Sequence, residues 1–424
     1  MPRSVCGRPS LPSWLFQLSR ALNRLWVTVG LYSALGIAAA LASAQFGHLV
    51  PSDFSLKLGS DSVDDILSIL ASSMLAVATF SLATLVTAYT SLVGSVSPRA
   101  AELLVSDGGV RRSLATFVGA FVYSIVGIIA VHTGYYGAEG RVILFFVTLA
   151  VLTLVVLAML RWIGQLSQLG QIGDLVGRVV AVTEKALRAR PILCARASEG
   201  RPAGEPDCTL TADEVGYVQN VDLDGLAAFA ERRSVRVHLE VLPGELVHAG
   251  ARLVSVEGAR LTDEETEELR GKIAVGARRT FEQDPRYGLT VLGEIAARAL
   301  SPGVNEFGVA REVTARTVRL LAEWTREAEE PDTPPDVTVP PLGIDALLEE
   351  ALGPVARYGA SNPSLQCELQ RALLALARTD DARMAAAARR LSRAALGHAR
   401  AALKRRGDFL EVRRASAPVL RGDA

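Results

Sequence analysis

The sequence has no excess of either charge and few cysteines. Lys and Arg together number 45, and so do Asp and Glu. Proteins that bind nucleic acid need a basic excess to meet the phosphates, so we expect no nucleic-acid partner. None of the four cysteines (Cys6, Cys194, Cys208 and Cys367) lies in a CxxC pair or at zinc-ligand spacing from a histidine. We therefore expect reduced thiols and no metal site.

The motifs of common catalytic sites are also missing. The chain has no Gly-x-Ser-x-Gly, no phosphate-binding loop, no His-Glu-x-x-His and no kinase motif set. Its five histidines are scattered along the sequence. We therefore expect no catalytic residue, no cofactor and no enzymatic activity.

Charge is absent from four long apolar stretches near the start of the chain. These stretches are residues 26–45, 66–96, 113–131 and 142–160. About 20 apolar residues cross the hydrocarbon core of a bilayer, so we predict four transmembrane helices within residues 25–165. The lack of ionisable groups inside them argues against a proton relay or a voltage sensor.

The flanking charges predict the orientation of these helices. Residues 1–24 contain four arginines and no acid, whereas the first loop has four aspartates against one lysine. The second loop contributes Arg99, Arg111 and Arg112. The positive-inside rule then places both termini in the cytosol. Residues 14–25 fit either an amphipathic interfacial helix or an extension of the first span.

The second apolar stretch is rich in hydroxyl groups. Thr84, Thr87, Ser91 and Ser95 are spaced by three, four and four residues, which puts them on one helix face. They indicate either a solute path lined by hydroxyls or close packing between helices. A path would need several copies of the chain, because four helices rarely enclose a pore alone.

The soluble half begins with a helical extension and linker over 166–215, followed by an α+β domain over 216–327. We predict strands at 216–221, 235–241 and 251–256, and a helix over 223–232 capped by Asp222. Pro243-Gly244 and the glycine at 250 resemble the turns of half a lipoyl-type sandwich, which predicts a small β-sandwich-like unit. No lysine stands where such domains attach lipoyl or biotin, so the resemblance concerns architecture alone.

Helices dominate the rest of the chain. We predict a helix over 263–283 capped by Thr262, then helices over 289–300 and 309–327. A linker at 328–342 leads to a helical region over 343–424, with helices at 343–353, 364–378 and 381–405. The basic residues of this last region alternate with alanines, which predicts a solvated face.

Polar residues cluster in the sequence around the helix predicted at 289–300. They are Arg279, Gln283, Asp284, Arg298, Ser301, Asn305 and Glu306. One interpretation is a cytosolic site for a small ion or anion held by the two arginines. The other is an internal polar network that fixes two helices and their turn.

Several motifs together resemble one family. They are Ser97-Pro98-Arg99, residues 117–123, Gly216-Tyr217-Val218-Gln219 with Asp222, Pro243-Gly244, and the run from Gly276 to Asn305. This set resembles the bacterial family of predicted membrane proteins called domain of unknown function 2254. The family typically continues after the asparagine with Asp-Pro and a Thr-Ala pair, whereas this chain has Glu306-Phe307-Gly308. The resemblance implies a membrane protein with a cytosolic domain and no established activity.

Two hypotheses follow. The leading one is a channel-like homo-oligomer in the lipid bilayer, with a cytosolic gating domain. The other is a membrane-anchored sensor or scaffold whose cytosolic domain binds a ligand or a protein.

Overall fold

The computed structural model describes residues 25–45, 60–95, 97–105, 108–133, 135, 138–166, 171–198, 205–326 and 334–421. The first 24 residues, and with them the predicted interfacial segment, lie outside this range. The chain divides into two compact units, one within Leu18–Asp174 and one dominated by Leu175–Ala424.

The first unit consists of helices. They are α1 (Leu25–Gln45), α2 (Ser60–Ser95), α3 (Pro98–Val105), α4 (Gly108–His132) and α5 (Ala138–Leu166). Among the described residues, three segments are long and apolar enough to cross a membrane: Val63–Ser91, Gly108–His132 and Gly140–Leu166. The apolar part of α1, Trp26–Ala42, is shorter. A fourth crossing therefore stays a prediction.

Helix α4 is the centre of this unit and packs against α1, α2 and α5. Glycines allow the close approach of α1 and α4, since a Cβ on Gly36 would lie 2.8 Å from the carbonyl oxygen of Gly119. The Tyr123 hydroxyl lies 2.8 Å from Thr148 Oγ1 on α5, in a buried position. Large apolar side chains elsewhere face outward, among them Phe80 and Leu154. Such an apolar exterior is what lipid requires.

Two small sheets form the start of the second unit. Their strands are β1 (Cys208–Thr211), β2 (Gly216–Val221), β3 (Arg236–Leu239), β4 (Leu246–Val247), β5 (Arg252–Glu257), β6 (Ile273–Gly276) and β7 (Val337–Thr338). One sheet has the order β1-β5-β3-β7 and the other β4-β2-β6. All pairs are antiparallel except β3 with β7. Strands β3 and β5, which flank the 243–250 turns, pair with each other, whereas β4 between them pairs with β2 in the other sheet. The segment is therefore divided between two sheets and does not form one continuous sheet.

Ten helices of the described chain complete this unit or lead into it. They are α6 (Ile172–Leu187), α7 (Arg190–Ala197), α8 (Leu223–Arg233), α9 (Asp263–Arg270), α10 (Pro285–Ala299), α11 (Phe307–Arg326), α12 (Ile344–Tyr358), α13 (Pro363–Ala377), α14 (Ala382–Ala402) and α15 (Arg406–Arg421). Helix α10 packs on α11 and α12, while α13 contacts α14 and α15. The predicted cap of α8 is confirmed, because the Asp222 side chain accepts a hydrogen bond from the Gly225 N–H.

The predicted helix over 263–283 is wrong beyond Arg270. Thr262 and Glu265 do form a capping box at its start, but the helix ends at Gly271. Residues Ile273–Gly276 instead pair with β2 as strand β6. The β-branched Ile273 and Val275 favour this pairing, which local helical periodicity did not reveal.

Three further segments differ from the prediction. The region assigned as linker contains α7 and β1, and Pro191 lies in the first turn of α7, where proline is tolerated. The predicted helical extension of the last span is interrupted, since Gln171 lies outside both α5 and α6. Helix α3 was not predicted, and α15 lies within the predicted helical region over 343–424 but beyond its last individually predicted helix. Pro98, which follows the second apolar stretch, starts α3.

Candidate functional site

Asp284 starts α10 and anchors the buried half of the predicted polar cluster. Its side chain accepts a hydrogen bond from the Tyr287 backbone N–H at 3.0 Å and so caps the helix, with Pro285 in the first turn. The side chain is only 2% exposed. A carboxylate buried this deeply needs a counter-charge and several donors.

Arg279 supplies that counter-charge. Its Nε and Nη2 donate to the two Asp284 oxygens at 2.7 and 3.0 Å in a bidentate pair. The guanidinium also lies over the Tyr287 ring, 5.2 Å from its centroid. Burial raises the pKa of Asp284 above its ordinary range, while Arg279 and the Tyr287 N–H oppose that rise.

Two other motif residues, Gly244 and Gln283, connect this pair to the turn before β4 and to the end of β2. Gly244 has φ +93, and a Cβ placed on it would lie 2.2 Å from Asp284 Oδ2. The side-chain amide of Gln283 pairs with β2 in the way that the backbone of a neighbouring strand would. It accepts a hydrogen bond from the Val221 N–H at 2.8 Å and donates one to the Val221 carbonyl at 3.3 Å. Gly244, Arg279, Gln283, Asp284 and Tyr287 form what we call the Asp284 junction.

A second ion pair, which the sequence did not reveal, ties the junction to α12. Arg286 Nε donates to Glu350 Oε1 at 3.0 Å, and Thr290 donates to Glu350 Oε2 at 2.9 Å. Glu245 lies near Arg286 and Asp284, and burial raises the pKa of Glu245. Arg286 and Glu350 are 64 residues apart in the chain, so no local spacing could have indicated the pair.

The other four residues of the predicted cluster lie at the opposite end of α10. Arg298 is exposed in the last turn, and Ser301, Asn305 and Glu306 belong to the turn that follows. Asn305 has φ 56, and the Glu306 N–H donates to the Ala299 carbonyl at 2.7 Å. Fifteen helical residues separate the two groups by about 22 Å. The seven predicted residues therefore form two groups and not one site.

The hydroxyl face of α2 looks away from the packed interior of its unit. The buried stripe of α2 is mainly apolar: Val63, Leu67, Leu70, Met74, Ala78 and Leu85. Thr84 is half-buried, and Thr87 and Ser91 are exposed. Thr84 and Thr87 each donate to the carbonyl four residues earlier, at 2.9 and 3.0 Å. The Ser95 side chain lies outside the described residues.

Cavities and metal-binding groups offer little in the described part of the chain. No group of three His, Cys, Asp or Glu side chains there could hold a metal ion. One pocket, lined in part by Arg188, Leu320 and Trp324, has a cavity volume of about 10 Å³. Sites for small molecules usually enclose about 300–1,000 Å³.

Comparison with known proteins gives relatives without an assigned activity. The chain is 29% identical over 180 residues to "Uncharacterized protein MT1328" of Mycobacterium tuberculosis (strain CDC 1551 / Oshkosh), covering 40% of this chain and 34% of the relative. The same identity and coverage hold for "Uncharacterized protein Mb1321c" of Mycobacterium bovis. The match thus spans about a third of the length of these relatives. No solved structure matches the chain significantly.

The family profile described as "Predicted membrane protein (DUF2254)" matches residues 22–375. This range includes the membrane helices, both sheets and the Asp284 junction. The chain therefore belongs to the predicted membrane protein (DUF2254) family.

Proposed function

We propose that this protein is a channel-like homo-oligomer of a bacterial inner membrane. Four helices would cross the bilayer, with both termini in the cytosol. The face of α2 that bears Thr84, Thr87 and Ser91 would line the path at the centre of the oligomer. The soluble unit would gate that path.

The observation that carries this proposal is the outward direction of the hydroxyl face. If these hydroxyls served packing within one copy of the chain, they would be buried against α4 or α5. Instead the apolar stripe of α2 takes that role, and Thr87 and Ser91 are exposed. Lipid would leave the outer lone pairs of these hydroxyl oxygens unused, so a neighbouring copy or a water-filled path is the environment that suits them better.

The hydrogen bonds of this face favour cations or water as the permeant species. Each threonine hydroxyl hydrogen is directed to a carbonyl of its own helix, which leaves oxygen lone pairs on the outer side. Oxygen lone pairs coordinate cations and accept hydrogen bonds from water. Asp64 and Asp65 lie at the opposite end of the same helix and would concentrate cations at the entrance.

Flux through proteoliposomes tests the path. Thr84, Thr87 and Ser91 are changed together to leucine, which should dewet the path and abolish the flux of K⁺ or Na⁺ seen with the wild-type protein. Ser72, Thr79 and Thr90 changed to leucine provide the control, because these hydroxyls are also exposed but lie about 100° around the helix. Equal flux in the two triple variants would refute the assignment of the path.

A membrane-anchored scaffold is the second candidate. The turn after α10 is exposed from Pro302 to Glu306. A protein partner fits this shallow surface better than a small ligand. Arg298→Glu together with Glu306→Arg should abolish capture of such a partner by crosslinking in cells, whereas the same exchange at Arg319 and Glu323, an exposed ion pair on α11, should not.

We also propose that the protein is not an enzyme. Asp284, the most buried carboxylate of the candidate cluster, accepts hydrogen bonds from three donors of the protein itself, and its side chain is 2% exposed. A general base needs access to its substrate. Turnover of a lipid or nucleotide by the purified protein, lost in Asp284→Asn, would contradict this.

A further inference from the structure

The last two helices of the soluble unit concentrate positive charge. Residues 382–421 contain eleven Arg or Lys against two acids, Asp408 and Glu411, in a chain whose net charge is zero. The rest of the chain is therefore acidic in balance. Helices α14 and α15 and the turn between them are called the basic hairpin below.

Most of these charges are not used inside the protein. Arg383 donates to the Arg196 carbonyl, Arg390 pairs with Asp345, and Arg389 is half-buried. The other eight are exposed and form no ion pair with any residue that the structure describes: Arg393, Arg400, Lys404, Arg405, Arg406, Arg413, Arg414 and Arg421. Like charges kept together without partners destabilise a fold slightly, which indicates a use outside it.

The exposed charges share one side of the hairpin. Arg393 and Arg400 are seven residues apart on α14, opposite its buried residues Leu391 and Ala395. On α15 the arginines at 406, 413, 414 and 421 lie opposite the buried Val412, Ser416 and Val419. Both helices pack on α13 and on each other, so their outer faces are turned away from α13. Lys404 and Arg405 fill the turn between them.

We propose that the basic hairpin binds the phosphate headgroups of anionic lipids in the membrane that anchors the chain. A guanidinium donates two parallel hydrogen bonds to a phosphate, and seven of the eight exposed charges are arginines. Clusters of four to eight basic residues beside a membrane segment are attracted by an anionic leaflet.

The tether to the membrane favours lipid over other polyanions. Helix α5 ends at Leu166 and the soluble unit starts at Leu175, so only a few residues connect a membrane-spanning segment to this unit. Such a short connection keeps the hairpin at a high effective concentration near the bilayer. Nucleic acid offers the same phosphate chemistry but has no such tether, and the experiment below separates the two. The inference does not depend on the conduit proposed above.

Hydrogen exchange of the full-length protein in nanodiscs tests the proposal. One nanodisc contains only phosphatidylcholine, and the other contains equal parts of phosphatidylcholine and phosphatidylglycerol. We expect backbone exchange in residues 400–421 to slow about tenfold in the anionic nanodisc at low salt, and the difference to shrink at 0.5 M salt because ions screen the charges. Equal exchange in the two nanodiscs would overturn the proposal.

A charge reversal and a matched control complete the test. Arg393→Glu, Arg400→Glu, Arg413→Glu and Arg414→Glu together should remove the protection by anionic lipid. Arg232→Glu, Arg260→Glu, Arg311→Glu and Arg319→Glu change the net charge equally on other exposed surfaces and should leave it intact. Exchange in the buried helix α12 must match the wild type in both variants, which verifies folding. A short DNA duplex added to the protein in the anionic nanodisc tests the other polyanion. If the duplex protects the hairpin from exchange and the anionic lipid does not displace it, the lipid assignment is overturned.

Discussion

At the residue scale, the contacts of the Asp284 junction explain why an aspartate, an arginine and a glycine stand at these motif positions. Arg279 neutralises a carboxylate that caps a helix, and Gly244 leaves room for that carboxylate. Gln283 hydrogen-bonds to the backbone of Val221, the last residue of β2. These roles favour the internal-network interpretation for the buried half of the cluster. The other half, around Arg298 and Asn305, is exposed to solvent.

Arg279→Ala should destabilise the start of α10 strongly. The change leaves Asp284 buried without a counter-charge, a loss of about 3–5 kcal/mol in comparable pairs. Hydrogen exchange at the Tyr287 amide, which donates to Asp284, measures the local effect. The loss of stability in this variant should be smaller at acid pH, where the Asp284 carboxyl takes up a proton and needs no counter-charge. Arg278→Ala, at the neighbouring position, is the control, and equal exchange in both variants would contradict the network.

Glu245→Gln should make the protein less sensitive to pH. Burial raises the pKa of Glu245, so the folded protein holds this proton more tightly than the unfolded chain. The stabilisation is complete below the ordinary glutamate pKa of about 4.3 and is lost as pH rises through the higher folded value. Thermal unfolding at several pH values should therefore show that the unfolding midpoint of the variant rises relative to that of the wild type from pH 4.5 to pH 7. A constant difference over that range would rule out the raised pKa.

At the element scale, α10 and α12 meet through a glycine and a proline. Pro354 lies inside α12 and lacks the N–H that would bond the Glu350 carbonyl. Gly293 on α10 approaches that same carbonyl, because a Cβ at this position would lie 2.3 Å from the Glu350 oxygen. The segment of α12 that contains Pro354 thus packs against Gly293 of α10, where the absence of a side chain leaves room.

Gly293→Ala should push these helices apart despite the better helix propensity of alanine. Overpacking of this kind usually costs about 1–3 kcal/mol, which exceeds the propensity gain of about 1 kcal/mol. Gly308→Ala on α11 is the control, since nothing lies within 4 Å of a Cβ there. Thermal unfolding of the two variants should give a lower midpoint for Gly293→Ala alone. A midpoint at or above the wild-type value would disprove the close contact.

The same scale shows what sequence patterns could and could not predict. Strands with clear alternation, such as β3 and β5, and helices with a polar cap, such as α8, were predicted within a few residues. Strand β6 was missed because its pairing with β2 depends on residues over fifty positions away. The split of the polar cluster was also hidden, since sequence spacing does not show that a straight helix keeps Asp284 and Asn305 apart.

At the scale of the whole molecule, the number of membrane crossings decides on which side residues 1–24 lie. With four crossings both termini lie on one side. With three, residues 1–24 lie on the opposite side from Ala424, because α2, α4 and α5 are an odd number of spans. The arginines of residues 1–24 favour four crossings.

Labelling of single introduced cysteines decides the topology. The four native cysteines are first replaced, and Ser4→Cys, Tyr135→Cys and Ala424→Cys are then made separately. A membrane-impermeant thiol reagent added to whole cells in which only the inner membrane blocks entry should label the cysteine at 135 alone. Labelling at position 4 would show that α1 does not cross.

The parallel pairing of β3 with β7 has a consequence for biosynthesis. His238 contacts Thr338 in the neighbouring strand, a hundred residues further along the chain. At about 5–20 residues per second, a ribosome delivers that partner about 5–20 seconds after β3 has been made. During this interval the nascent chain presents an open sheet edge, the kind that recruits other strands. A message truncated before Val337 should therefore yield an aggregating product and not a shorter working protein.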